Sequence, residues 1–87
     1  VDFFKRFNDH YGHLQGDNCL IAVADCLREA VRQQADVVAR YGGEEFVILL
    51  PGADALVAAD IARRIAAALA ARAIPHAQSE VSPNVTV

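Results

Sequence analysis

Val37-Val38-Ala39-Arg40-Tyr41-Gly42-Gly43-Glu44-Glu45-Phe46-Val47-Ile48-Leu49-Leu50-Pro51 is the stretch whose reading decides the fold. Two β-prone runs flank a Gly-Gly pair, and glycine tolerates the positive φ that tight turns need. The natural reading is a β-hairpin with its tip at Gly42-Gly43. The unbroken apolar run from Phe46 to Leu50 predicts a central strand covered on both faces, ended by Pro51-Gly52. Glu44 and Glu45 sit at the tip. On composition alone they are solvated acids on an ordinary turn. The chemical alternative is that the glycines let the backbone approach a phosphate ligand while the adjacent carboxylates hold Mg²⁺, a hard cation that prefers oxygen. Phosphoryl transfer uses both properties.

Working outward, Ala53 to Arg72 predicts a long alanine-rich helix with Leu56, Ile61, Ile65 and Leu69 as its larger apolar teeth and Arg63, Arg64 and Arg72 solvated. Ile74-Pro75 stops it. His76 to Asn84 is polar and proline-punctuated, a loop or irregular edge strand, and Val85-Thr86-Val87 begins a new strand. Upstream of the hairpin, Asn18 to about Gln33 carries Leu20, Val23, Ala24, Leu27, Ala30 and Val31 at the three- and four-residue spacing of an amphipathic helix. Gly12-His13-Leu14-Gln15-Gly16-Asp17 has the composition of a turn, with Asp17 placed to cap that helix. Lys5 to Tyr11 predicts a short helix, and Val1 to Phe4 the end of a buried strand.

The whole chain is 87 residues, which allows one small domain at most. With 54% hydrophobic and 22% charged residues it has the material for a packed core and no signature of disorder. A net charge of -3 argues against a surface built to neutralise a nucleic-acid backbone. No apolar run approaches the roughly 18–20 residues that cross a bilayer, so no membrane contact is expected of this segment. Cys19 and Cys26 share a helix face about 10 Å apart, too far to bridge. They read as reduced, buried thiols of a cytoplasmic protein. Both ends look like interrupted strands, which points to a partial domain.

A second cluster precedes the long helix: Phe3-Phe4-Lys5, Asn8-Asp9, Gly12-His13 and Gly16-Asp17. The Watson–Crick edge of guanine offers two adjacent donors that one carboxylate, such as Asp17, accepts together, while the amide of Asn8 serves a neighbouring polar edge. The plainer alternatives are that Asp17 only caps a helix and Asn8 only ends one. Lys5 is either solvated or a cation that stabilises charge on a transferring phosphoryl group.

With Ala39-Arg40-Tyr41 before Gly42-Gly43-Glu44-Glu45-Phe46, and Asp2-Phe3-Phe4-Lys5, Asn8-Asp9, Gly12-His13 and Gly16-Asp17 upstream, the chain resembles the GGDEF-domain diguanylate cyclases of bacteria along its whole length. The resemblance implies an α/β (α+β) fold, a five-stranded mixed sheet flanked by helices, similar to adenylyl cyclase catalytic domains and the polymerase palm. It implies condensation of two GTP molecules into cyclic di-GMP across a homodimer, with Mg²⁺ or Mn²⁺ as cofactor. By position, Glu44 matches the metal ligand and proton acceptor, and Glu45 a second metal or base contributor. The carbonyl of Val1 matches part of the metal shell. Asn8 and Asp17 match the guanine-binding positions, His13 a further substrate position, and Lys5 the transition-state stabiliser. Gly42 and Gly43 would lie against the nucleotide.

The same resemblance places a metal-binding Asp immediately before Val1 and the phosphate-holding Lys and Arg beyond Val87. It also implies a product-inhibition motif, Arg-x-x-Asp, where this chain has Gln33-Gln34-Ala35-Asp36. Gln33 cannot supply the charged fork that pairs with a phosphate. Arg32 is one register off and on a continuing helix points about 100° away. Weak or absent product inhibition is therefore expected. Two other classes compete with the cyclase: a module that binds GTP or cyclic di-GMP without turnover to regulate a neighbouring domain, and a purely structural interaction domain.

Overall fold

A computed structural model describes all 87 residues. The chain runs α1 (Phe4–Tyr11), α2 (His13–Ala30), β1 (Val37–Gly42), β2 (Glu45–Leu49) and α3 (Ala55–Arg72). This is an α/β arrangement in which α2 touches α1, α3 and β1. Its apolar face explains why. Cys19, Leu20, Val23, Cys26 and Leu27 recur at helical spacing and are buried together with Phe4 and Phe7 of α1, Leu69 of α3 and Val85. Phe46 and Ile48 of β2 pack against the edge of this core. Both cysteines are free and buried, and burial pushes both thiols up in pKa, which keeps them protonated.

The expected turn at Gly12–Asp17 is instead a helix junction. Gly12, at φ 88°, closes α1 through its N–H to the Asn8 carbonyl and serves as the N-cap of α2. Helix α2 therefore starts five residues before Asn18, and Asp17 lies inside it rather than capping it. It also ends three residues before Gln33, with Val31 already extended.

Strands β1 and β2 pair antiparallel, from Val37 opposite Leu49 to Gly42 opposite Glu45. The register slips between Arg40 and Gly42, leaving Tyr41 as a bulge. That extra residue moves the turn one place on, so the tip is Gly43-Glu44 and not Gly42-Gly43, with Gly43 at φ 49°. Strand β2 alternates instead of being covered on both faces. Phe46 and Ile48 turn towards α2, while Glu45, Val47 and Leu49 are exposed. These two strands are the whole of the sheet within the chain; the five-stranded sheet is not formed by these residues.

Val1–Phe4 is not a strand. Asp2 N–H donates to the Thr86 carbonyl, and helix begins at once at Phe4. Val85–Val87 forms no strand either, although Val85 is buried in the core and Pro75 and Asn84 make an isolated bridge. Helix α3 buries Ile61 and Leu69 as expected, but Leu56, in its first turn, is 80% exposed. No helix is long and apolar enough to cross a membrane.

Helix α3 starts where the Asp54 carboxylate accepts the Val57 N–H at 2.9 Å. Asp54→Ala should lower stability by about 1 kcal/mol, the usual effect of losing such a cap. Chemical denaturation of the full-length protein checks this as a lower midpoint at unchanged slope.

Candidate functional site

The hairpin tip and the start of α2 face two separate hollows. One, of about 360 Å³, is lined by Val1, Glu44 and Glu45 together with Val23, Leu27, Phe46, Ile48, Ile65 and Val87. The other, also about 360 Å³, is lined by Asp17, Leu20, Ile21, Ala24, Arg28, Val38, Arg40 and Phe46. Phe46 borders both, so a single ring stands between the hollow with the two carboxylates and the one with Asp17.

In the first hollow the charged side chains are the two carboxylates of Glu44 and Glu45, and Val1 lines the same hollow. This is a hard-oxygen set that suits Mg²⁺ or Mn²⁺, which take few protein ligands and complete their shells with water or phosphate. Nowhere in the chain do three His, Cys, Asp or Glu side chains converge as a closed metal cage. Glu44 is held at the tip by backbone geometry. Arg40 Nε donates to the Gly43 carbonyl at 2.7 Å, bridging the two sides of the turn. A Cβ added at Gly42 or Gly43 would meet nothing within 4 Å, so the backbone is open to a ligand there.

On α1, Asn8 is placed against α2 by a missing side chain. Gly16 is buried one turn into α2, and a Cβ on it would fall 1.7 Å from Asn8 Oδ1. Glycine at position 16 is thus required for space, not for backbone freedom. Asn8 Oδ1 is buried and has no hydrogen-bond partner in the protein. An orphaned buried acceptor costs about 1–3 kcal/mol. Asp17, the next residue after Gly16, is exposed at the second hollow.

The remaining expected positions lie outside both hollows. Lys5 is exposed in the first turn of α1 and pairs with Asp9 at 2.9 Å. His13 is exposed at the first position of α2. Gln33 is exposed and donates its amide to the Arg28 carbonyl. Two contributors were not singled out from the sequence: the Arg40 brace, and His76, which is fully buried 73 residues from its partner Phe3. A local pattern marks neither.

Near the end of α2, Arg32 does not follow the helix. Because Val31 is extended, the Arg32 guanidinium turns onto Asp36: Nη2 donates to Oδ1 at 2.7 Å, Nε to Oδ2 at 3.0 Å, and the Arg32 N–H to Oδ2 at 2.7 Å. Arg32 would point away only on a continuing helix, and here the helix ends at Ala30. The Arg32 hydrogen bonds hold the Asp36 carboxyl below its ordinary pKa. A depressed pKa stabilises the fold fully above the unfolded value of about 4, and the contribution disappears as pH falls through the folded value. The stability gap between wild type and Asp36→Asn should therefore be constant near neutral pH and shrink below about pH 4. Denaturant midpoints measured from pH 7 to pH 3 test this.

Comparison with known proteins places the chain. The family model described as "Diguanylate cyclase, GGDEF domain" matches residues 1–87. Diguanylate cyclase DgcP of Pseudomonas aeruginosa is 49% identical over 71 residues, 82% of this chain and 10% of that protein. Diguanylate cyclase A of Treponema denticola is 37% identical over 87 residues, all of this chain and 23% of that protein. The chain thus spans less than a quarter of either relative. Among solved structures, diguanylate cyclase SiaD, in complex with its activator SiaC from Pseudomonas aeruginosa, superposes with a TM-score of 0.74 at 38% identity. That match covers 79% of this chain and 26% of that one. An EAL/GGDEF domain protein from M. capsulatus superposes at 0.70 and 42% identity, over 92% of this chain and 50% of that one. A whole-length family match, relatives well above 30% identity and a shared fold lead to one conclusion: the chain belongs to the diguanylate cyclase GGDEF domain family.

Proposed function

We propose that the protein containing this domain condenses two GTP molecules into cyclic di-GMP, releasing pyrophosphate, with one GTP carried by each protomer of a homodimer. The observation that carries the reading is the pair of hollows sharing Phe46, with Glu44 and Glu45 on one side and Asp17 on the other. Asp17 accepts the two adjacent donors of a guanine edge, and the orphaned Asn8 Oδ1 accepts a further one. Adenine lacks that donor pair. The open backbone at Gly42 and Gly43 leaves room for the phosphates. His13 and Lys5 act on the substrate from the rim, and Lys5 must leave Asp9 to reach a phosphate. That exchange is cheap, because an exposed ion pair contributes about 0–1 kcal/mol.

Glu44, Glu45 and the Val1 carbonyl would hold Mg²⁺ or Mn²⁺, which when bound supplies charge neutralisation on the phosphate oxygens. A ribose 3′-hydroxyl oxygen forms a bond to the α-phosphorus of the opposing nucleotide, the bond from that phosphorus to the bridging oxygen of the β-phosphate breaks, and pyrophosphate leaves; the reciprocal attack by the other nucleotide closes the ring and releases a second pyrophosphate. Glu44 takes the hydroxyl proton. The chain's own contribution is orientation of the two ends of each nucleotide and placement of that base.

Incubating the full-length protein with GTP and Mg²⁺ should yield cyclic di-GMP by mass spectrometry. Glu44→Gln should lower kcat at least about a hundredfold. Gly16→Ala should act mainly on KM, because its methyl displaces Asn8. A folded, dimeric protein that turns over no GTP would leave the regulatory-module reading in its place.

Product inhibition through the segment Gln33–Asp36 is absent on this reading. What supports it is that both Asp36 oxygens are already engaged by Arg32, and that Gln33 carries no charge. Calorimetry with cyclic di-GMP should give no tight binding that depends on Asp36. Tight binding abolished by Asp36→Ala overturns this.

A further inference from the structure

The segment Val1–Phe3, whose first residue lines the carboxylate hollow, is held by residues from the far end of the chain. Asp2 N–H donates to the Thr86 carbonyl at 2.9 Å, and Thr86 Oγ1 donates to the Asp2 carboxylate at 2.7 Å. His76 Nε2 lies 3.1 Å from the Phe3 carbonyl, which can only accept a hydrogen bond, so the ring donates through a hydrogen on Nε2. Between these two anchors Phe3 sits at φ 54°, ψ 37°, a left-handed conformation that is strained for a residue with a Cβ. No side chain caps the start of α1 to offset it.

His76 is a poor choice for filling the core alone. It is fully buried against Phe7, with ring centroids 5.2 Å apart, and its Nδ1 has no partner. An apolar side chain would fill that space without stranding a polar atom. What an apolar residue cannot supply is the donor to the Phe3 carbonyl. Strain kept between two anchors beside a ligand-bearing segment is the pattern expected where conformation serves a site.

We propose that His76 and Thr86 are positioning residues forming a two-point clamp, which fixes the left-handed turn at Phe3 and so sets where the Val1 backbone meets Glu44 and Glu45. The clamp acts on metal binding, and not on Asp17, which lines the other hollow. The inference rests on the function proposed above for the carboxylate hollow.

The test uses the full-length protein with His76→Leu, His76→Gln and Thr86→Val. In His76→Leu and Thr86→Val, hydrogen exchange at the amides of Asp2 to Phe4 should speed up. Mn²⁺ binding followed by electron paramagnetic resonance should weaken about tenfold, the lower range for losing a partner behind a metal ligand. The Mg²⁺ needed for half-maximal turnover should rise in parallel, while KM for GTP at saturating Mg²⁺ stays near wild type. His76→Gln, which keeps a donor, should restore metal binding. Unchanged exchange, or Mn²⁺ affinity at the wild-type level in Thr86→Val, overturns the clamp. So does loss in His76→Leu that His76→Gln does not restore. Should His76→Leu fail to fold, the Gln and Val variants still decide. A wild type that makes no cyclic di-GMP counts against the proposed function, whereas the exchange data judge the clamp by themselves.

Discussion

Burial of one face of α2 is the interaction on which the rest of the molecule is mounted. Val23 and Cys26 are almost wholly out of water, and α1, α3 and the hairpin each reach the core through this helix. Fully burying a side chain such as Val or Leu contributes about 1.5–3 kcal/mol, so the five-residue stripe outweighs any single polar contact in the chain. The site inherits this order. Asp17 is carried on α2 itself, Asn8 is pressed against α2 at Gly16, and the hairpin bearing Glu44 is oriented by Phe46 and Ile48 where they meet the same core. Parts of the site that are far apart in sequence thus share one support.

The hairpin, the long α3 and the helix-face cysteines were legible because each is written in local pattern: β-prone runs around glycine, helical periodicity, and spacing of seven. What escaped was set by distant contact. Gly12 to Asp17 reads as a turn because two glycines favour one locally, yet Asn8 fills the space over Gly16 and the segment is helical instead. The Tyr41 bulge moved the hairpin tip by one residue, and a bulge has no compositional mark. Val47 and Leu49 are as apolar as their neighbours, so their run could not disclose that one face of β2 is exposed. Of the site, the carboxylates and the Asn8 and Asp17 positions were visible as motif. His76 was not, because its partner lies at the opposite end of the chain.

Arg32 and Asp36 illustrate how a backbone detail redirects electrostatics. A helix continued through Gln33 would have aimed the guanidinium elsewhere. With Val31 extended, the same residue becomes a forked donor to a carboxylate whose side chain is 0% exposed. The charge pattern along the chain is unaltered; its geometry is not.

The contact between Gly16 and Asn8 also bears on how this domain tolerates change. A glycine within a helix is less favourable than alanine by about 1 kcal/mol, and a stranded amide oxygen adds a further penalty of similar size. Both penalties fall on one spot, and both would be relieved by a paired change, alanine at position 16 with a smaller apolar residue at position 8. Selection for heat resistance alone would drift towards that repair and erase the acceptor in doing so. On the proposed guanine-binding reading, position 16 is therefore a place where robustness and recognition pull in opposite directions, and where a stabilised variant would have lost an acceptor for its ligand.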